Sequence, residues 1–272
     1  MSDPRARYLR IQRELGGDEV ILSQPGGRAG GTADDEVESA GAAEPQPAAP
    51  PTDSATAKAA DWRKGAPPIP DLPGLTITAP ARGLMDAQPD WTTLDQVAAA
   101  IAGCQACFLC KGRTKTVPGE GNPKAQLLFV GEGPGQSEDE TGRPFVGRAG
   151  ELLTKMIEAI GLERGEVFIA NAVKCRPPQN RKPLPDELTA CWRYLERQIE
   201  LLDPTVIVAL GATAAETLLQ ARRSLADLRS RVHSYRGIPL IVTYHPAALL
   251  RNPNWKKPAW DDIRIARQLL DR

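Results

Sequence analysis

Three groups of residues in this 272-residue chain have the types and spacing to do chemistry. The first is a set of cysteines: Cys104 and Cys107 form a C-x2-C pair, and Cys175 and Cys191 follow much later. A C-x2-C pair chelates zinc or an iron–sulfur cluster equally well. The later pair lacks that short spacing, so spacing alone leaves the metal undecided. Cys191 also falls in a helical stretch, where a buried cysteine is often only a small apolar residue. Cys110 lies close to the first pair and counts as a spare. An odd total of five argues against a disulfide framework, and clustered cysteines in a reducing compartment more often bind metal or stay as free thiols.

The second group is the glycine-rich stretch GEGPGQSEDETGRPFVGRAG (131–150). Its glycines permit close backbone approach to a ligand, and Gly147 to Gly150 open a helix whose free N–H groups suit phosphate. The spacing matches neither a Walker A loop nor a dinucleotide fingerprint, so an ordinary surface loop is the competing reading. Phe145, an aromatic inside a polar stretch, is either a core plug or a stacking platform for a planar ligand.

The third group is His245-Pro-Ala-Ala-Leu-Leu-Arg-Asn-Pro253. Leu249 and Leu250 beside Arg251 suit an apolar wedge that enters a base stack; the alternative is a helical turn with both leucines facing a core. Two basic stretches lie nearby in type. The PPQNRKP loop (177–183) offers Arg181 and Lys182 to backbone phosphates. His233, among Arg222, Arg223, Arg229 and Arg231, reads as a surface residue on the same side.

These residues need elements to position them. Strands are expected at Gln126–Val130, Val167–Val173, Thr205–Leu210 and Pro239–Tyr244. Helices are expected at Arg148–Ile160, Pro185–Leu202 and Thr213–Leu219, with an amphipathic helix from Thr93 to Gly103 leading into the cysteines. Continuous apolar strands alternating with helices predict a three-layer α/β/α fold around a mostly parallel four-stranded sheet. Ligands in such sheets bind beyond the carboxyl ends of the strands. Glu132, Asn171 and His245 each follow or end a strand, so right-handed crossovers bring them to one rim.

The flanks are different. Residues 4–16 read as a short helix in an N-terminal segment of residues 1–25, either a docking peptide or a frayed tail. Residues 26–85 read as a disordered linker, since 12 of the 20 residues from Gly41 to Ala60 are Ala or Pro. A globular domain then runs from 86 to 272. Residues 1–80 carry 8 Lys/Arg against 12 Asp/Glu and the remainder 26 against 22, a mildly basic domain behind an acidic tail. No apolar run approaches the roughly 20 residues of a membrane span, and the N-terminus lacks a signal-peptide core. A cytoplasmic, nucleoid-associated monomer without membrane attachment is expected.

Taken together, Gly131–Gly135, Gly142-Arg-Pro-Phe-Val-Gly147, Asn171-Ala-Val-Lys-Cys-Arg-Pro177 and His245–Arg251, with the four cysteines in register, resemble the family-4 uracil-DNA glycosylases, the iron–sulfur branch of that superfamily. The resemblance covers about residues 90–272. It implies that Phe145 stacks on a uracil flipped out of single- or double-stranded DNA, that the Asn171 amide reads its polar edge, and that His245 stabilises charge on the leaving base. It further implies that Glu132 positions water or the sugar cation, and that Gly133, Glu138 and Asn180 complete the uracil-binding set. Leu249, Leu250, Arg251 and Arg181 would meet the DNA, and Cys104, Cys107, Cys175 and Cys191 would hold one 4Fe–4S cluster. Some relatives carry a loop histidine that cross-links to the abasic sugar; the matching PPQNRKPLP stretch has none, so a turnover enzyme that initiates base excision repair is expected. The rival is a non-catalytic binder of uracil or abasic DNA using the same pocket. A radical enzyme is a weaker rival, because four cysteine ligands leave no open iron.

Overall fold

Apolar runs long enough to be buried on both faces form the centre of the sheet. Strands β3 (Leu127–Gly131) and β5 (Val206–Leu210) are buried along their whole length, as expected of parallel strands covered by helices on either side. The computed structural model describes residues 62–78 and 90–272. Its remaining strands are β1 (Pro73–Ile77), β2 (Glu120–Gly121), β4 (Phe168–Asn171), β6 (Val232–Tyr235) and β7 (Ile238–Thr243). The helices are α1 (Leu94–Ala102), α2 (Gln136–Thr141), α3 (Arg148–Ala159), α4 (Pro185–Leu202), α5 (Ala212–Leu219), α6 (Leu225–Leu228), α7 (Pro246–Arg251) and α8 (Lys256–Leu270).

The strands order as β1-β6-β7-β5-β3-β4-β2. The four strands expected from sequence form the parallel centre, β7-β5-β3-β4. The expectation of a four-stranded sheet is corrected to seven, because three more strands complete the edges: β1 parallel to β6, β6 antiparallel to β7, and β2 antiparallel to β4. None of the three carries a continuous apolar run. β2 has two residues, and Val232-His-Ser-Tyr alternates between half-buried and buried.

Strand alternation splits the core into two layers. Leu127, Phe129, Val206 and Val208 face α3 and α8 through Leu153, Ile157, Ile263 and Ala266. Leu128, Val130, Ile207 and Ala209 face α4 and α5 through Leu195, Ile199, Ala215 and Leu218. A third cluster joins Val97 and Ile101 of α1 to Val173, Cys175 and Cys191.

The domain begins earlier than composition suggests. Trp62 is 6% exposed, and β1 adds a strand at Pro73–Ile77, inside the stretch 26–85 read as linker. Backbone carbonyls there accept from α8: Lys64 O from Arg264 and Pro67 O from Gln268. A Pro-rich run that packs by lending its carbonyls and one tryptophan has no periodicity to recognise. The expectations for residues 1–61 and 79–85 lie outside the described residues. Among the described residues no helix is long and apolar enough to cross a membrane.

His233 is likewise corrected. It sits on β6, 1% exposed, where Nδ1 accepts from the Leu75 N–H at 2.9 Å and Nε2 lies 2.7 Å from the Leu228 carbonyl. The inward phase of the strand turns it from the arginine-rich surface into a clip between β1 and the α6 end.

Candidate active site and cysteine centre

The carboxyl ends of β3, β4 and β7 deliver Glu132, Asn171 and His245 to the same edge. Gly131 pairs with Asn171 across the β3–β4 ladder, and a Cβ at Gly131 would run into Asn171 Oδ1 and the Phe145 ring. The bare backbone there lets an amide and an aromatic face converge. Asn171 is 2% exposed, and its Oδ1 has no hydrogen-bond partner. A buried acceptor left open in this way costs stability unless something donates to it.

Phe145 is held in an unusual conformation. Its φ is 51°, in the region that favours glycine, and Gly150 lies against its backbone so closely that any side chain there would overlap it. Glu138 fixes this turn from below. Its Oε1 accepts from the Val146 and Gly147 N–H groups at 2.9 and 3.1 Å, and its Oε2 from the Gly135 N–H at 3.1 Å. Glu138 therefore binds both glycine-rich segments rather than facing open space. Backbone strain concentrated at one aromatic and over-determined by a carboxylate is the kind found at functional sites.

His245 caps α7. Its Nδ1 accepts from the Ala247 N–H at 3.2 Å, which puts the proton of the neutral ring on Nε2. The ring lies 5.4 Å from that of Phe145, tilted by 32°. Burial, reinforced by the Arg251 charge, pushes its pKa down to about 4. The imidazole is thus a neutral donor near pH 7. Glu132 accepts a hydrogen bond from Thr213 Oγ1 at the start of α5. Thr213 escaped the sequence analysis, since a threonine opening a helix reads simply as an end signal. Gly133 packs against Val173, where a Cβ would lie 2.7 Å from Cγ2.

Other expected residues fall elsewhere. Leu249 is 1% exposed and belongs to the core, whereas Leu250 is 40% exposed. Of the two, Leu250 is therefore the one free to act as a wedge; consecutive helical residues point about 100° apart, and the phase of α7 turns Leu249 into the core. Arg251 is exposed on the same turn. Arg181 forms a bidentate pair with the buried Glu187 at 2.7 and 2.8 Å, and Lys182 bridges to Glu216 at 3.0 Å. The basic loop thus spends Arg181 on the α4 N-terminus. Asn180 stands on that loop with φ 55°, its Oδ1 accepting from Arg176.

The cysteines gather behind Asn171. All five cysteines, Cys104, Cys107, Cys110, Cys175 and Cys191, line one cavity. Three sulfurs accept hydrogen bonds: Cys191 from the Lys174 N–H at 3.3 Å, Cys175 from Arg113 at 3.2 Å and Cys104 from the Ala106 N–H at 3.5 Å. Such donors suit thiolates bound to a metal. Burial pushes the Cys191 thiol up to about 12 and the Lys174 ammonium down to about 8. A thiolate there needs positive charge beside it. Among the described residues no three metal-ligating side chains stand at single-ion spacing.

A family model for the uracil DNA glycosylase superfamily matches residues 118–264. A type-4 uracil-DNA glycosylase of Sulfurisphaera tokodaii is 47% identical over 65% of this chain and 84% of its own length. That of Thermotoga maritima is 44% identical over 66% and 95%. A type-5 uracil-DNA glycosylase of Thermus thermophilus is 37% identical over 48% and 68%. With four ordered motifs on one rim and a matching family model over most of the sheet, the chain belongs to the uracil-DNA glycosylase superfamily.

Proposed function

We propose that this protein hydrolyses the N-glycosidic bond of uracil in DNA and leaves an abasic site for base excision repair. The observation that carries the reading is the open, buried Asn171 Oδ1, beside a strained Phe145 whose ring lies 5.4 Å from that of a neutral His245. Uracil has a flat ring and a polar edge with one N–H donor between two carbonyls. Phe145 stacks on the ring, Asn171 Oδ1 accepts from N3–H, and its amide N–H2 donates to O4. Cytosine lacks that N3–H and would leave the buried oxygen unpaired.

Taking the base out of the stack costs a few kcal/mol. Leu250 fills the space left behind and Arg251 holds a flanking phosphate. As the bond to C1′ breaks, negative charge grows on uracil O2. The His245 Nε2–H donates to it, and one preorganised donor of this kind is worth roughly 10²–10³ in rate. The Glu132 carboxylate, oriented by Thr213, stands beside the sugar cation and the incoming water. Gly133 keeps the pocket backbone close against Val173, while Glu138 keeps the Phe145 turn in place.

The four cysteines Cys104, Cys107, Cys175 and Cys191 fit one 4Fe–4S cluster. Their shared cavity and hydrogen-bonded sulfurs support a bound metal centre, and the resemblance to the iron–sulfur family-4 glycosylases supports a cluster over zinc. Bound there, a cluster would cross-link the segment after α1, the segment after β4, and α4. The protein acts as a monomer in the nucleoid, and its N-terminal segment recruits a repair or replication partner. The test of function incubates the metal-loaded protein with a uracil-containing oligonucleotide and then cleaves abasic sites with alkali. Strand scission at the uracil is expected; tight binding without scission would favour the non-catalytic binder.

A further inference from the structure

The chain beyond the wedge carries an aromatic surface that the reaction above does not use. Trp255, 38% exposed, ends the short Pro253–Trp255 turn between α7 and α8. Its indole lies flat on Tyr244, with ring centroids 4.8 Å apart and planes within 7°. The Arg229 guanidinium covers the Tyr244 ring at 4.2 Å and is itself anchored to Asp262 at 2.8 Å. Tyr244 immediately precedes His245. The indole is thus held at a fixed angle beside the pocket, instead of dangling from a loop.

The surroundings are cationic. From Pro246 to Trp260 the chain carries Arg251, Lys256 and Lys257 and no carboxylate, and all three cations are exposed. The first turn of α8 holds no acidic residue. A flat, pre-oriented aromatic face with cations on the phosphate side is the arrangement that binds unpaired nucleotides.

We propose that Trp255 is a stacking platform for an unpaired nucleobase next to the flipped uridine on the same strand, with Lys256 and Lys257 on its phosphate. This rests on the glycosylase reading. In a duplex the neighbouring base is already stacked and paired, so the platform serves single-stranded substrate. Leu250 serves the opposite case, since a wedge matters only where a stack must be held open. Leu250 and Trp255 therefore divide the two forms of DNA.

The test is a cycle on the loaded full-length protein. Uracil excision is measured on a single-stranded oligonucleotide, on versions in which the base 5′ or 3′ to uracil is replaced by an abasic spacer, and on the duplex. Trp255→Ala should raise KM on the intact single strand about fivefold or more, with kcat little changed, and Trp255→Phe should recover most of the loss. One of the two spacers should raise the wild-type KM by a similar factor and add nothing in Trp255→Ala, while duplex KM stays near wild type. An unchanged single-strand KM, additive losses, or equal losses on single strand and duplex with a lowered melting temperature would each overturn the platform. Should wild type release no uracil from any substrate, the glycosylase reading fails instead. The platform is then judged by binding of a uracil-free single-stranded oligonucleotide, which Trp255→Ala should weaken by the same factor; equal binding overturns it.

Discussion

Lys174 ties Asn171 to the cysteine centre: its Nζ donates to the Asn171 carbonyl at 2.9 Å while its backbone N–H donates to Cys191 Sγ at 3.3 Å. The same Nζ reaches Gln198 Oε1 at 2.6 Å, and Gln198 in turn donates to the Pro118 carbonyl. The proposed base reader and the proposed cluster ligand Cys191 are thus joined through one buried residue, by its side chain on one side and its backbone N–H on the other. Lys174→Met keeps the volume but leaves two acceptors unpaired, at about 1–3 kcal/mol each. It should lower both uracil excision and the melting temperature while the visible absorption per protein stays measurable. Wild-type excision in Lys174→Met would show that the link does not position Asn171.

Acid should act on His245 through stability before it acts through charge. The folded pKa of about 4 lies below the ordinary histidine value of 6.5. The folded state therefore binds fewer protons than the unfolded chain between those values. The His245 contribution is fully present above about pH 6.5 and is lost progressively as pH falls toward 4. Excision by folded protein should hold from pH 7 to pH 5, and His245→Gln should flatten the stability slope in that window. An acid limb in kcat near pH 6.5 would contradict a buried neutral imidazole.

The adjacent leucines should separate cleanly. Leu249→Ala opens a core cavity and should cost about 2–5 kcal/mol by denaturant titration, harming both forms of DNA alike. Leu250→Ala should leave the melting temperature near wild type and slow excision from duplex more than from single strand. Equal losses on both substrates for Leu250→Ala would remove it from the wedge role.

Truncation tests where the domain starts. Removing residues 1–60 spares Trp62 and β1, so excision on a short oligonucleotide should stay near wild type. Removing residues 1–80 takes away an edge strand, the His233–Leu75 bond and the Trp62 packing, and should lower the melting temperature sharply. Equal stability of the two truncations would mean that β1 contributes nothing.

Much of this arrangement was legible in the sequence because burial on both faces leaves a plain mark. The apolar runs of β3, β5, β7 and β4, and the polar residue at or just past the end of β3, β4 and β7, placed Glu132, Asn171 and His245 on one rim. What stayed hidden depends on partners far along the chain. Whether Arg181 meets a phosphate or Glu187 is decided by the helix cap that Glu187 supplies. Leu249 and Leu250 are identical in type and differ only in helical phase. Edge strands borrow order from β7 and β4, so β6, β1 and β2 show no run of their own.

The most direct test of the central claim is single-turnover release of free uracil from an oligonucleotide by wild type and by Asn171→Ala. The account predicts complete release by wild type. It predicts a loss of at least about a hundredfold in Asn171→Ala, since a pocket built around a buried hydrogen bond discriminates strongly when that bond is missing. Melting temperature and visible absorption should stay unchanged in the variant. Release by Asn171→Ala at the wild-type rate would contradict the assignment of Asn171 as the uracil reader, and no release by either would contradict the glycosylase itself.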